Sequence, residues 1–496
     1  MTPLLKKKLT IIIDRNDIEI KPQYKEMDEE YIYESTETES IDKSIDSVES
    51  TIDDTEGCFE FNEEEHIEIT NMIYQSCEDY IQENILLLAA PVFYKTMLDS
   101  ITESTFISFL SMDLCEDDEE DYELVGEFVE QVFDAYMDIS LVPSRSISFT
   151  ANVQSKNEAE MVALKRQIEY LQNIELPKQK SKEWYEMRHN LMTASNLHKV
   201  FGSEASVNSL IYEKCKPLSV DGVDYRNIST ETAIHWGNKY EPVTVMVYED
   251  MFETKIGDFG CIPHPDYSFI GASPDGINID PENSRYGRML EIKNIVNREI
   301  TGIPKEEYWV QTQVQMEVCN LDECDFVETR FKEYADENEF YDDDAHEYKG
   351  VILYFIEKPN AFGMGGKNSM PVYRYMPIRS VPIRSEPIRT DSIESWINEQ
   401  KAIERENNLV LFGTIYWYLE EFSCVFIPRN RFWFSAAVPK IKAVWDIILK
   451  ERVSGYEHRS SKKRGGKPQI VCQDASNSYM IKNMPLTNSI CLVKLD

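Results

Sequence analysis

Acidic residues crowd one end of this chain. Of its 89 Asp and Glu, 38 fall within residues 1–150 beside only 9 Lys and Arg, while the remaining residues hold 51 acids and 42 bases. Taken whole, a formal net charge of −38 argues against a nucleic-acid partner. The body of the chain is close to balanced, however, so the whole-chain charge says little about what that body binds. Residues 1–66, with YESTETESIDKSIDSVESTIDDTEG at their centre, have too little apolar surface to offset the entropy of ordering them and are expected to be largely disordered.

The next stretch has a different texture. In ENILLLAAPVFYKTMLDSI and YELVGEFVEQVFDAYMDI the apolar residues recur at helical spacing. Residues 67–150 therefore read as a small helical region, with an acidic loop at Glu116–Glu120, and residues 146–160 read as a linker. From 155 to 358 the pattern predicts helices over 156–174, 232–250 and 306–320. Short strands are expected across 258–295, 325–333 and 349–356. Together these describe an α/β (α+β) core, a mixed sheet flanked by helices. Residues 359–390 read as a linker that ends in a tandem repeat, MPIRS-VPIRS-EPIRT. Three copies are too few for a solenoid. Residues 391–496 read as a C-terminal extension with helical signals at 391–407 and 438–451 and a basic run, HRSSKKRGGKP, at 458–468.

The ten cysteines include no Cys-x-x-Cys pair, which fits a reducing compartment better than a zinc knuckle or a disulfide framework. The apolar run in MTPLLKKKLTIIID stops at Asp14, too short for a signal peptide or a membrane span. An intracellular location without membrane attachment is the expectation.

The segment GASPDGINIDPENSRYGRMLEIKN, residues 271–294, carries the chemistry. Asp275 closes a short apolar strand at a Ser-Pro-Asp-Gly turn. Glu291 and Lys293 lie two apart on a second strand and so share a face, leaving Ile292 for the other. Pairing the two strands brings two carboxylates and an ammonium together. Such carboxylates readily bind Mg²⁺, and a nearby lysine can orient a water for attack on a phosphodiester. The order Asp, then Glu-x-Lys, is the PD-(D/E)xK nuclease signature. A turn aspartate and a solvated strand face would give the same letters, so the neighbouring blocks matter.

Four such blocks surround the trio. In EWYEMRHNLMTASNL, Arg188 and Ser195 are seven apart and share a face if the helix is continuous. Both suit a phosphate, although Ser195 would also serve as the N-cap of a helix starting near Asn196. HWGNKYEPVTVMVYE places Glu241 at the start of a helix. EEYWVQTQVQMEV puts Gln311 and Gln315 on one helix face, where they could hold a water or a base edge. FVETRFKEY supplies the following strand.

These blocks, W-x3-R-x4-TAS, WG-x3-E, SPDG, LEIK and Y-x2-Q-x-Q in that order, resemble the lambda-type exonucleases, or YqaJ-like viral recombinases, over residues 180–335. The resemblance implies a restriction-endonuclease-like core. It implies that Asp275, Glu291 and Glu241 bind one or two Mg²⁺ ions, with Mn²⁺ as a substitute, and that Lys293 is the catalytic lysine. Gln311 would organise the site, and Arg188 and Ser195 would anchor the 5′-phosphate of a DNA end. The implied activity is 5′-to-3′ digestion of duplex ends in viral recombination or replication processing, in the host cytoplasm or a viral factory. A single-strand annealing protein is the implied partner and a homo-oligomer the implied assembly. The acidic N-terminal region and the C-terminal extension depart from the minimal phage enzyme and put its ring-shaped trimer in doubt. Two other readings stay open: a non-catalytic DNA-binding scaffold that keeps the nuclease fold, and a structure-specific endonuclease.

Overall fold

Asn62 and Glu65 close a reciprocal capping box, each side chain accepting from the other's backbone N–H at 3.0 Å, and so start α1 (Glu63–Glu83). The helix begins four residues before the sequence predicts. Glu63, Glu64 and Glu65 face the positive end of the helix dipole, where acidic side chains are favoured. The same effect corrects the expected acidic loop, because Glu119 and Glu120 form the first turn of α3 (Glu119–Ile139), which follows α2 (Phe93–Ser111).

The computed structural model describes residues 59, 61–139, 156–179, 181–218, 232–358, 371–378 and 390–460, all within one compact unit, Phe59–Asp496. Residues 1–58, most of the 146–160 linker, the 359–370 loop, repeat residues Arg379, Arg384 and Arg389, and the basic run beyond Ser460 lie outside the described residues. No described helix is long and apolar enough to cross a membrane.

A second capping box, Asn157 with Glu160, starts α4 (Glu158–Gln172). Then come α5 (Lys182–His189), β1 (Met192–Thr193), α6 (Ala194–Leu197), α7 (Glu204–Cys215) and α8 (Ala233–Met251). Strands β2 (Ile256–Gly257), β3 (Ile262–Pro263), β4 (Ile270–Ala272), β5 (Gly276–Asn278) and β6 (Met289–Asn294) lead to α9 (Glu306–Cys319). The chain continues through β7 (Glu323–Glu333), α10 (Glu337–Asp342), β8 (Lys349–Glu357), β9 (Val372–Tyr375), α11 (Thr390–Glu406), β10 (Leu409–Pro428) and α12 (Arg431–Ser454).

Seven strands form the main sheet in the order β2-β5-β6-β7-β10-β8-β9, and β1-β4-β3 form a smaller one. In the main sheet β6 and β7 run parallel and the other pairs antiparallel. A parallel neighbour needs a crossover, and α9 supplies it. Because α9 is covered by neighbours nearly all round, ten of its residues are buried. Trp309 of α9 meets Trp433 of α12 edge to face, with ring centroids 5.3 Å apart, a geometry that adds about 1 kcal/mol to the burial itself.

The main sheet does not end near residue 358. Strand β10, from the stretch expected to be an extension, lies between β7 and β8 and pairs with both. The fold is thus the expected mixed α/β sheet flanked by helices, completed by a strand from the C-terminal part of the chain. The helical region joins the same core, as Met97, Phe109 and Val129 belong to one buried cluster with Val314, Phe326 and Trp433.

Candidate active site

The Asp275 turn is built by a close approach. Gly276 opens β5 beneath β2, and a Cβ there would run into Ile256 Cγ2. Gly276 is not among the described glycines with positive φ, so crowding from β2, not turn geometry, requires it. Asp275 thereby sits between β4 and β5, and its Oδ2 accepts from the Ile292 N–H at 2.7 Å. β5 pairs with β6 through Gly276 and Leu290, so the two motif strands lie side by side as expected. Ile292 turns to the opposite face and packs with Tyr248, Leu290 and Val327.

Glu291 is 1% exposed. A buried carboxylate must be fully hydrogen-bonded to be tolerated, and three side chains serve it. Lys293 Nζ donates to Oε1, Gln311 Nε2 donates to Oε1 at 2.7 Å, and Gln315 Nε2 donates to Oε2 at 2.7 Å. Gln315 also donates to the Ser273 carbonyl at 3.2 Å. Its own Oε1 is buried with no hydrogen-bond partner among the described residues.

Burial first, and then the Glu291 charge, push the Asp275 carboxyl well above the usual range, and Glu241 adds to the effect. Burial alone pulls the Lys293 ammonium down, but Glu291 and Asp275 outweigh it and raise its pKa. With both carboxyls ionised, Asp275 and the buried Glu291 beside a single ammonium leave an excess of negative charge at this point. That excess is what a divalent cation with oxygen ligands neutralises, so the residues present fit Mg²⁺.

Glu241 lines the same cleft but does not close a three-carboxylate cluster. Among the described residues no group of three or more His, Cys, Asp or Glu is gathered tightly enough to hold an ion. The three carboxylates named by the resemblance thus share one cleft without forming a tight cluster, Asp275 and Glu291 lying together and Glu241 nearby on α8. Two carboxylates accord with Mg²⁺ chemistry, since this ion usually keeps waters and substrate phosphate oxygens in the rest of its shell. Glu241 is also not at a helix start, being the ninth residue of α8 and followed by Pro242. Proline has no N–H, so the Asn238 carbonyl, one turn back on the cleft wall, loses its helical partner.

Arg188 and Ser195 do not share one helix. α5 ends at His189, strand β1 intervenes, and Ser195 lies inside α6, whose N-cap is Thr193. The chain turn nevertheless brings both to the cleft. Arg188 stacks over the Trp184 ring at 4.7 Å and donates from Nη1 to Ser273 Oγ at 3.1 Å. One cleft of about 700 Å³ is lined by Arg188, Ser195, Glu241, Asp275, Glu291, Lys293, Gln311 and Gln315 together.

Three further cleft residues escaped the sequence reading. Ser273 stands inside the quoted SPDG block. The Tyr308 ring lies under both Lys293 Nζ at 5.0 Å and the Arg298 guanidinium at 5.7 Å, and Arg298 pairs with buried Glu328. Tyr308 opens the quoted Y-x2-Q-x-Q block on α9 but is given no role there, and spacing gives no signal for Arg298, which the loop after β6 folds back.

The mixed sheet brings the turn residue Asp275 beside Glu291 and Lys293 of β6, in the chain order of the PD-(D/E)xK signature. Residues 183–322 match the family model of the YqaJ-like viral recombinase domain. A protein of Acanthamoeba polyphaga mimivirus, named "Uncharacterized protein R354", is 27% identical over 323 residues, 59% of this chain. The match spans 56% of that relative's length. Likeness to solved structures is distant. An alkaline exonuclease from Laribacter hongkongensis, solved alone and with dAMP, matches at 18% identity with a TM-score of 0.29, over 56% of this chain and 95% of that one. A phage-related exonuclease from Haemophilus somnus matches at 14% identity with a TM-score of 0.25, over 53% and 96%.

Proposed function

We propose that this chain is a Mg²⁺-dependent deoxyribonuclease that digests duplex DNA from its ends, 5′ to 3′, in viral recombination or replication processing. The observation that carries the reading is Asp275 beside the buried Glu291 and Lys293, in one cleft with Arg188 and Ser195. The domain match and the resemblance of the motif blocks to lambda-type exonucleases support DNA as the substrate.

Asp275 and Glu291 would hold the ion, which supplies Lewis-acid stabilisation of the charge developing on the phosphate. Gln311 and Gln315 fix the Glu291 carboxylate in one orientation. Lys293 places a cation where the scissile phosphate enters. Arg188 offers a planar fork and Ser195 a hydroxyl to a terminal phosphate, a combination that binds and orients it.

The test compares a 5′-phosphorylated linear duplex with a covalently closed circle, both with Mg²⁺. Loss of the linear duplex alone, abolished by Asp275→Ala, is the expected result. Cutting of the circle would replace the reading with an endonuclease. Binding without cutting of either would replace it with a scaffold.

A further inference from the structure

α5 spans only eight residues, too short to hold its own geometry in water. Its last carbonyls, those of Arg188 and His189, are taken by cations from two other helices. Lys214 of α7 donates to the Arg188 carbonyl at 2.9 Å. Arg452 of α12 donates from Nη2 to the His189 carbonyl at 2.7 Å and from Nη1 to Asn190 Oδ1 at 3.0 Å. Arg452 Nε also reaches the Lys214 carbonyl at 3.0 Å, tying the two cations together. Cations at a helix C-terminus complement its dipole, and here they also fix where the helix lies.

The far end of α12 is anchored as well. Its N-cap residue Asn430 donates its backbone N–H to Gln313 of α9 at 2.6 Å. α12 thus spans from behind the glutamine helix to behind the arginine helix. Neither Arg452 nor Lys214 lines the cleft.

We propose that Arg452 is a positioning residue for end recognition: it fixes α5 so that the Arg188 guanidinium stays on Ser273, which makes discrimination of 5′-phosphorylated ends depend on α12. The inference rests on the proposed reading that Arg188 receives the terminal phosphate. A fork–phosphate contact is sensitive to orientation, and a shift of about 1 Å in a positioned group is enough to cost up to about a hundredfold in rate.

The experiment uses the full chain with Mg²⁺ and two linear duplexes that differ only in a 5′-phosphate or a 5′-hydroxyl. The readout is the ratio of their kcat/KM values, with Arg188→Gln as the reference for lost discrimination. Arg452→Gln is expected to lower that ratio at least about tenfold while leaving digestion of the hydroxyl end within about twofold of wild type. Arg452→Lys keeps a cation at the helix end and is expected to recover part of the ratio. It also carries the test if the Gln variant does not fold. An equal loss on both substrates, or an unchanged ratio in both variants, overturns the clamp. A wild type that digests both ends equally overturns the reading of Arg188 instead.

Discussion

Gln313 and Asn430 are joined across 117 residues of sequence: the buried Gln313 Oε1 accepts the Asn430 N–H at 2.6 Å, and its Nε2 donates to the Pro428 carbonyl at 2.9 Å. Gln313 is the middle glutamine of QTQVQ, and it faces away from the cleft that its two neighbours serve. Arg429 reinforces the joint by pairing with Glu317. Gln313→Leu should therefore act on stability. Removing one partner leaves a buried N–H and a carbonyl unpaired, at roughly 1–3 kcal/mol each. Urea unfolding should show a lower midpoint with an unchanged slope, and the folded variant should still bind DNA. A wild-type midpoint would show that the joint contributes nothing.

Asp275→Asn separates the ion from the fold. The variant removes one of two mutually repelling carboxylates, so without Mg²⁺ its melting temperature should match or exceed that of wild type. Wild type should gain stability on Mg²⁺ addition, because an ion that binds only the folded state stabilises it by mass action. The variant should lose most of that gain, and its cleavage rate should fall at least about a hundredfold. Equal Mg²⁺-induced shifts in both proteins would remove Asp275 from the ion site.

Glu241→Gln should be milder toward the ion. Glu241 lines the cleft but closes no three-carboxylate group. Isothermal titration with Mg²⁺ should show an affinity loss smaller than that of Asp275→Asn by about tenfold or more, a free-energy gap of roughly 1.4 kcal/mol. Equal losses would make Glu241 a full ligand of the resting site and overturn the two-carboxylate description.

The site was more legible than the sheet that holds it. Asp275, Glu291 and Lys293 come together because the strand period forces Glu291 and Lys293 onto one face and β5 carries Asp275 alongside. Arg188 and Ser195 reach the cleft by a route that spacing misrepresents, since β1 breaks the helix between them. The Glu63 and Glu119 helix starts were missed because acidic runs read as solvated loops until the helix dipole is counted. Strand β10 was missed for a different reason. LVLFGTIYWYLEEFSCVFIP is rich in β-branched and aromatic residues, but its partners lie roughly 50 to 105 positions earlier, at 349–357 and 323–333. No local pattern reports such pairing. Its central Glu420 and Glu421, which break the apolar run, pair with Lys332 and Arg330 across the sheet.

Lys214 gives the pH dependence of the fold a definite sign. Burial, the main cause, together with the nearby Arg188 and Arg452 charges, lowers its pKa from 10.5 to about 8, against a smaller opposing pull from Glu213 and Cys261. Between pH 8 and 10.5 the unfolded chain then holds a proton that the folded chain has released, so this residue makes stability rise with pH across that window. The contribution is about 3 kcal/mol at most. Other groups titrate in the same range: burial raises the pKa of the Cys77, Cys319 and Cys424 thiols to about 12, and these groups act in the opposite direction. The informative quantity is thus the difference between wild type and Lys214→Met, which keeps the length of the side chain and removes the charge. Wild type should gain on the variant as pH rises from 8 to 10 in parallel urea titrations. Below pH 8 the gap should be flat, because both states of wild type are then protonated at Lys214. Parallel profiles throughout would mean that the lysine is as well solvated in the fold as in the unfolded chain, and its bond to the Arg188 carbonyl would then be an ordinary surface contact.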